Sequence, residues 1–132
     1  MQVFTKAEAP RYRRPEGITS YLLASARTSD AEHLTTTLVE VEPGGLQRIH
    51  RHGPEQVYFV LDGIGIMTVG DETQEVRRGD CILVPSDTPH GIRNHGKQVL
   101  RYFSAAAPSF ELGDLLSLWP LGSETEEPRD RG

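Results

Sequence analysis

Turn signals recur so closely along the middle of this chain that only short strands fit between them. Pro43-Gly44-Gly45, Asp62-Gly63, Gly70-Asp71 and Arg78-Gly79-Asp80 punctuate runs of alternating apolar and polar residues. Strands are predicted over 18–24, 33–41, 46–52, 56–61, 64–69, 73–76, 81–84, 90–94 and 98–104, with Asp62-Gly63 as a hairpin turn. About eight to ten short strands at such intervals indicate an all-β sandwich or barrel. No segment repeats.

The ends of the chain read differently. Pro10, Arg11, Arg13, Arg14 and Pro15 make residues 1–16 an irregular arm ahead of a single domain over 17–122. Leu112, Leu115, Leu116 and Leu118 suggest one or two helical turns over 110–119, packed on the strands. The polar stretch 123–132 reads as a disordered tail.

At 132 residues the chain is long enough for one domain with its own core. A formal charge of −5 argues against nucleic acid as a partner. No apolar run approaches the roughly 18 residues of a membrane span. Residues 1–14 lack the apolar stretch of a secretory signal. The one cysteine, Cys81, excludes an internal disulfide, and the expected location is the cytoplasm. Cys81 lies in the apolar run Cys81-Ile82-Leu83-Val84 and is expected to be a buried structural thiol.

Three of the five histidines fall in two blocks. His50 and His52 are two residues apart, so on a strand they share a face. His90 sits in a separate strand behind the turn that Pro85 and Pro89 bound. Two ligands at i, i+2 joined by others from neighbouring strands suit a metal inside a β-barrel. Imidazoles favour Zn, Fe, Ni and Cu. His33 and His95 fall outside the pattern and are assigned to the surface.

The two blocks, Gly44-x5-His50-x-His52-x3-Gln56-x6-Gly63 and Gly79-x5-Pro85-x4-His90-x3-Asn94, closely resemble the paired motifs of the cupin superfamily. The resemblance covers about the middle fifty residues and is to small single-domain members. It implies a double-stranded β-helix, or jelly roll. It also implies one divalent transition metal (Zn, Ni, Fe or Mn) bound by His50, His52, Gln56 and His90. Two positions depart from the motifs. Asp87 replaces a glycine, and Asp tolerates a left-handed turn. Gln56 replaces the usual Glu. Its neighbour Glu55 is the better anionic ligand, but only one of the pair can face the interior. Counting back from Gly63 puts Gln56 at the family's ligand position, with Glu55, or a metal held by histidines and water only, as the alternatives.

A neutral amide in place of a carboxylate leaves a divalent ion more positive. That favours Lewis-acid chemistry over redox chemistry. Three further residues are candidates for catalysis. By strand parity Arg48 shares the face of the histidines and suits an anionic substrate, unless the strand end turns it to solvent. Tyr58 shares the face of Gln56 and is suited to donating a hydrogen bond to substrate, or else packs in the interior. Of Arg101 and Tyr102, only one can see the cavity, and Tyr102 is favoured.

The expected function is a metal-dependent enzyme for a small oxygenated substrate, neutral or anionic, of isomerase or lyase type. A redox-metal dioxygenase and a non-catalytic ligand-binding cupin are the alternatives. A His-His-Gln-His set also resembles small cupins that linearise unsaturated uronic acids. Their late Asp is missing from Arg101-Tyr102-Phe103-Ser104-Ala105. The expected assembly is a homodimer, with residues 18–24 crossing or flanking the partner.

Overall fold

The computed structural model describes residues 1–110 and 115, and ten strands run through them. In chain order they are β1 (Arg11–Arg14), β2 (Ile18–Leu22), β3 (Thr35–Val41), β4 (Leu46–His50), β5 (Glu55–Asp62), β6 (Ile64–Val69), β7 (Glu72–Arg77), β8 (Cys81–Val84), β9 (His90–Arg93) and β10 (Leu100–Ala107). Two antiparallel sheets result, ordered β1-β2-β3-β10-β5-β8 and β4-β9-β6-β7. This is the all-β jelly roll that the turn spacing and the motif resemblance imply.

The two sheets face each other across one apolar cluster. Val39, Val60 and Leu100 from the larger sheet meet Met67, Val76 and Ile92 from the smaller one. Each such side chain contributes about 1.5–3 kcal/mol when fully buried. Strict alternation supplies these residues. On β3 the buried positions are Thr35, Thr37, Val39 and Val41, and on β10 they are Leu100, Tyr102, Ser104 and Ala106.

The inward rows grade from apolar to polar along the strands. Leu100 pairs with Val41, Tyr102 with Val39 and Val60, and Ser104 with Thr37 and Tyr58. Ala106 pairs with Thr35 and Gln56. One end of the interior is therefore a packed core. The other is lined with hydroxyls and an amide, and that end holds the cavity.

Several expectations change. Residues 11–14, assigned to an irregular arm, form β1 against β2. The turn Pro15-Glu16-Gly17 explains this, because Gly17 takes the positive φ (+83°) that closes the hairpin. The density of Arg and Pro hid the strand from sequence reading. Residues 18–22 are consequently covered on their outer edge. Asp62-Gly63 is not a hairpin turn either. It carries the chain from one sheet to the other, since β5 pairs with β10 and β8 while β6 pairs with β7 and β9. Cys81 is exposed rather than buried. On edge strand β8, period two sends Val84 inward and leaves Cys81 and Leu83 outside. The expected helical turns and the polar tail lie outside the described residues, except that Phe110 and Leu115 are buried with Leu22 and Ala106.

One irregularity shapes the site. β4 pairs with β9 at Gln47↔Ile92 and again at His50↔His90, so Arg48 and Ile49 on one strand face Gly91 alone on the other. That is a β-bulge at Arg48 and Ile49. Opposite it sits Gly91, where a Cβ would lie 2.7 Å from the Gln47 carbonyl oxygen and 3.2 Å from the Arg48 carbonyl carbon. Neither is able to yield without moving backbone. Gly91→Ala is expected to cost about 1–3 kcal/mol through overpacking. Urea unfolding checks it as a lower midpoint at unchanged slope. A midpoint equal to wild type would show that the bulge relaxes freely.

Candidate metal centre and cavity

His50 and His90 are direct cross-strand partners, so their side chains leave the backbone side by side. Their ring centroids are 4.3 Å apart. His52 lies just beyond the end of β4 rather than in the expected strand. The following loop holds it there. The Asp87 amide donates to the His52 carbonyl at 2.7 Å, and the Ser86 hydroxyl donates to the Gly53 carbonyl. Asp87 sits at φ +56°, the left-handed conformation that its motif position demands. The His52 ring comes within 4.4 Å of His50 and 5.5 Å of His90. One nitrogen from each of the three rings lies within 4.8 Å of the other two.

Backbone carbonyls set the tautomers. His50 Nδ1 is 2.7 Å from the Arg48 carbonyl, and His90 Nδ1 is 2.8 Å from the Thr88 carbonyl. A carbonyl only accepts, so each Nδ1 carries the proton and each Nε2 keeps its lone pair. Orienting a ring in this way is characteristic of metal-ligating histidines. His90 Nε2 is buried with no hydrogen-bond partner among the described residues.

Gln56 lines the same cavity as His50 and His52. It is buried on β5, while Glu55 points outward and is exposed. Its Nε2 donates to the Ser104 hydroxyl at 2.9 Å, which fixes the amide. Its Oε1 is left buried without a partner among the described residues. Two buried lone pairs with no donor therefore accompany the histidine cluster. An unmet buried acceptor costs about 1–3 kcal/mol, and a cation removes that cost at both atoms. Three neutral imidazoles and an amide oxygen are donors suited to a divalent transition metal.

Burial keeps the rings neutral. It lowers the pKa of His50 and His90, and it brings His52 down to about 4, with the neighbouring His50 and His90 adding to the effect.

The cluster opens on a cavity of about 330 Å³. Tyr58 and Tyr102 form its floor. Their rings stack at 4.4 Å and 15°, and both are fully buried. Burial raises the pKa of both hydroxyls, so they are donors at neutral pH. Both reach one atom, Gln47 Oε1, at 2.6 Å from Tyr58 and 3.0 Å from Tyr102. Phe110 closes the side beside His52, its ring 4.9 Å away.

Arg48 stands at the rim, not among the histidines. The bulge breaks the parity that placed it with them, and its side chain is 76% exposed. Its Nε donates to Glu16 Oε2 at 2.5 Å. Glu16 is held below the usual carboxylate range by a backbone hydrogen bond and by Arg48. Arg101 turns outward to Glu40 and Asp62, leaving Tyr102 to face the cavity. His33 is exposed, and His95 sits 3.4 Å from Glu75. Sequence reading missed Gln47, Ser104 and Glu16. Ser104 was available from its parity with Tyr102, but Gln47 was concealed by the bulge.

Residues 37–106 match the family model described as "Cupin domain". The chain is a cupin. Among curated relatives it is 36% identical over 75 residues to an uncharacterised protein of Methanocaldococcus jannaschii, covering 56% of this chain and 60% of that one. It is 37% identical over 75 residues to the dimethylsulfoniopropionate lyase DddW of Ruegeria pomeroyi, covering 56% of this chain and 49% of that one. The match thus spans only half to three-fifths of these relatives. The solved structure of KdgF from Halomonas sp. superposes with a TM-score of 0.74 at 20% identity, covering 88% of this cupin and 99% of that chain, a likeness of fold. No helix among the described residues is long and apolar enough to cross a membrane.

The lowered pKa of His52 predicts how the metal-free protein responds to acid. Below pH 6.5 the unfolded chain takes up a proton on this ring, and the folded chain does not until about pH 4. Stability is therefore full above pH 6.5 and falls as the pH drops towards 4. His52→Gln should flatten part of that decline. Thermal midpoints of metal-free protein between pH 7 and about 4 test it. Parallel profiles for the two proteins would contradict the assignment.

Proposed function

We propose that this cupin is a metal-dependent enzyme acting on a small oxygenated substrate. One divalent transition metal (Zn, Ni, Fe or Mn) would be held by His50, His52, Gln56 and His90. The observation that carries the reading is the cluster of three neutral imidazoles, two of which line the cavity that Gln56 also lines, its buried Oε1 without a partner among the described residues. A bound ion would supply Lewis acidity towards a substrate carbonyl, hydroxyl or carboxylate.

The remaining roles belong to the chain itself. Tyr58 and Tyr102 donate hydrogen bonds to a substrate oxygen on the cavity floor. Arg48 guards the rim, where its guanidinium attracts an anionic substrate once it loosens from Glu16. Phe110 and the stacked tyrosines limit water in the cavity. The donor set carries no charge, so a divalent ion would keep about two positive charges. That supports an anionic substrate and isomerase- or lyase-type chemistry over oxidation. The similarity to a protein named as a lyase points the same way.

We also propose a cytoplasmic homodimer. The expectation that residues 18–24 meet the partner is weakened by β1, which pairs along residues 18–21. Support comes instead from the outer face of β5 and β8, where Phe59, Leu61 and Leu83 are exposed beside an edge strand. Light scattering at micromolar concentration should give twice the 14.7 kDa chain mass. A monomer would refute the assembly.

Elemental analysis of protein purified without added metal should find one transition metal per chain, lost in His50→Ala and His90→Ala. Gln56→Glu should retain or tighten metal binding by adding a negative charge, yet lower Lewis-acid activity roughly tenfold or more. Glu55→Gln should alter neither. Activity that persists without oxygen would support the lyase or isomerase class, and activity that needs oxygen would sink it. Loss of metal in Glu55→Gln with none in Gln56→Ala would overturn the ligand assignment.

A further inference from the structure

The geometry points to Gln47 as the built-in occupant of a two-donor oxygen subsite. Its Oε1 holds the place that a substrate carboxylate or carbonyl oxygen takes between the Tyr58 and Tyr102 hydroxyls. The inference rests on the proposed function only in supposing that the cavity receives a substrate.

Both phenols spend their single proton on one atom. The distances to Gln47 Oε1 are 2.6 Å and 3.0 Å. A carbonyl oxygen has two lone pairs, and both are used. The tyrosines cannot follow a retreating acceptor. They are fully buried and stacked ring on ring, so their hydroxyls stay aimed at the same point. Gln47 differs from them. It is half-buried, lies on the cavity wall beside the bulge, and is carried on three rotatable bonds. It is the one member of the trio free to leave.

The subsite discriminates by hydrogen-bond chemistry. Two O–H donors converge on it, so an acceptor-only oxygen fits and an ammonium group does not. The Tyr58 ring centroid is 5.9 Å from that of His90, and Gln47 and both tyrosines line one cavity with His50 and His52. One small molecule with two oxygen functions therefore spans the subsite and the histidines. Gln47 is a specificity-determining residue in this arrangement. It masks the donors until an oxygen of the right kind competes it away. The apparent affinity for such a ligand is reduced by the fraction of time that Gln47 occupies the subsite.

Acetate is the probe. Its binding is followed by the tyrosine ultraviolet difference spectrum and by NMR titration, in metal-free and in zinc-loaded protein. Gln47→Ala should tighten acetate binding about five- to tenfold in both forms, by removing the internal competitor. Gln47→Glu should weaken it, because an oxygen of the same reach remains and now carries a negative charge. The gain in Gln47→Ala should vanish when Tyr102→Phe is added. A residue that merely supported the wall would weaken binding in both single variants. Should Gln47→Ala fold poorly, Gln47→Asn carries the same test, its amide being too short to reach both hydroxyls. Unchanged or weaker acetate binding in the folded variant overturns the inference, as does the absence of acetate binding to every form. Zinc uptake is measured separately. Its failure counts against the metal reading alone, since the acetate ratio in metal-free protein still decides the role of Gln47.

Discussion

The single extra residue in β4 governs the site. Without the bulge at Arg48 and Ile49, plain alternation would turn Arg48 inward with His50 and send Gln47 to the outside. With it, Gln47 and His50 both face the cavity, and Arg48 is left at the rim against Glu16. Gly91 makes this possible by bringing its backbone within contact of the bulged strand, where no side chain has room. The same pairing sets His50 opposite His90 and fixes their ring spacing. One local irregularity thus decides which residues meet the ligand position, which meet the tyrosines, and which meet solvent.

A second constraint ties the cavity to the fold around it. Asn94 is buried, and its side chain donates to the carbonyls of Val41 and Gln98 while accepting from the Gly96 amide. Its backbone exchanges hydrogen bonds with Gly44 and Gly45. The β3–β4 turn is thereby pinned to the β9–β10 turn, at the ends of the strands that carry His50 and His90. A fully satisfied buried amide of this kind specifies one arrangement, because any displacement leaves several polar atoms unmet. The asparagine of the second motif therefore acts on the histidines through the backbone, without touching them.

Most of the architecture was legible because β-structure writes itself in period two. The strands 64–69 and 81–84 match expectation to the residue, and β3, β5 and β10 differ from it only near their ends. What escaped was of three physical kinds. β1 was hidden by arginines, which an outer strand tolerates because one face is wet. Cys81 was misplaced because an apolar run on an edge strand need not be buried on both faces. Gln47 was missed and Arg48 set on the histidine face because a bulge resets parity and leaves no mark in one sequence beyond the glycine opposite. Residue type and spacing brought together His50, His52 and His90, whereas the hydrogen bond from Gln56 to Ser104 depended on a register that only the folded sheet reveals.

The distribution of polarity inside the barrel gives the last step. A protein interior gains stability from apolar contacts, and every polar group moved inward must be met. Here the larger sheet places Thr35, Thr37, Ser104 and Gln56 on its inner face, and the smaller sheet adds the histidines. Tyr58 and Tyr102 stand at the boundary, their rings in the apolar cluster and their hydroxyls in the cavity. Hydrogen bonds satisfy most of these polar groups, but not all. Gln56 Oε1 and His90 Nε2 are both acceptors, and both lack a donor among the described residues. Water is a poor remedy for several converging lone pairs, since it brings only two protons and must find its own acceptors. A cation meets all of them at once, so its binding energy enters directly as stability of the folded state. The polar end of the barrel is therefore the part of the fold that packing leaves incomplete, and the same incompleteness suits it to a positive, oxygen- and nitrogen-seeking guest.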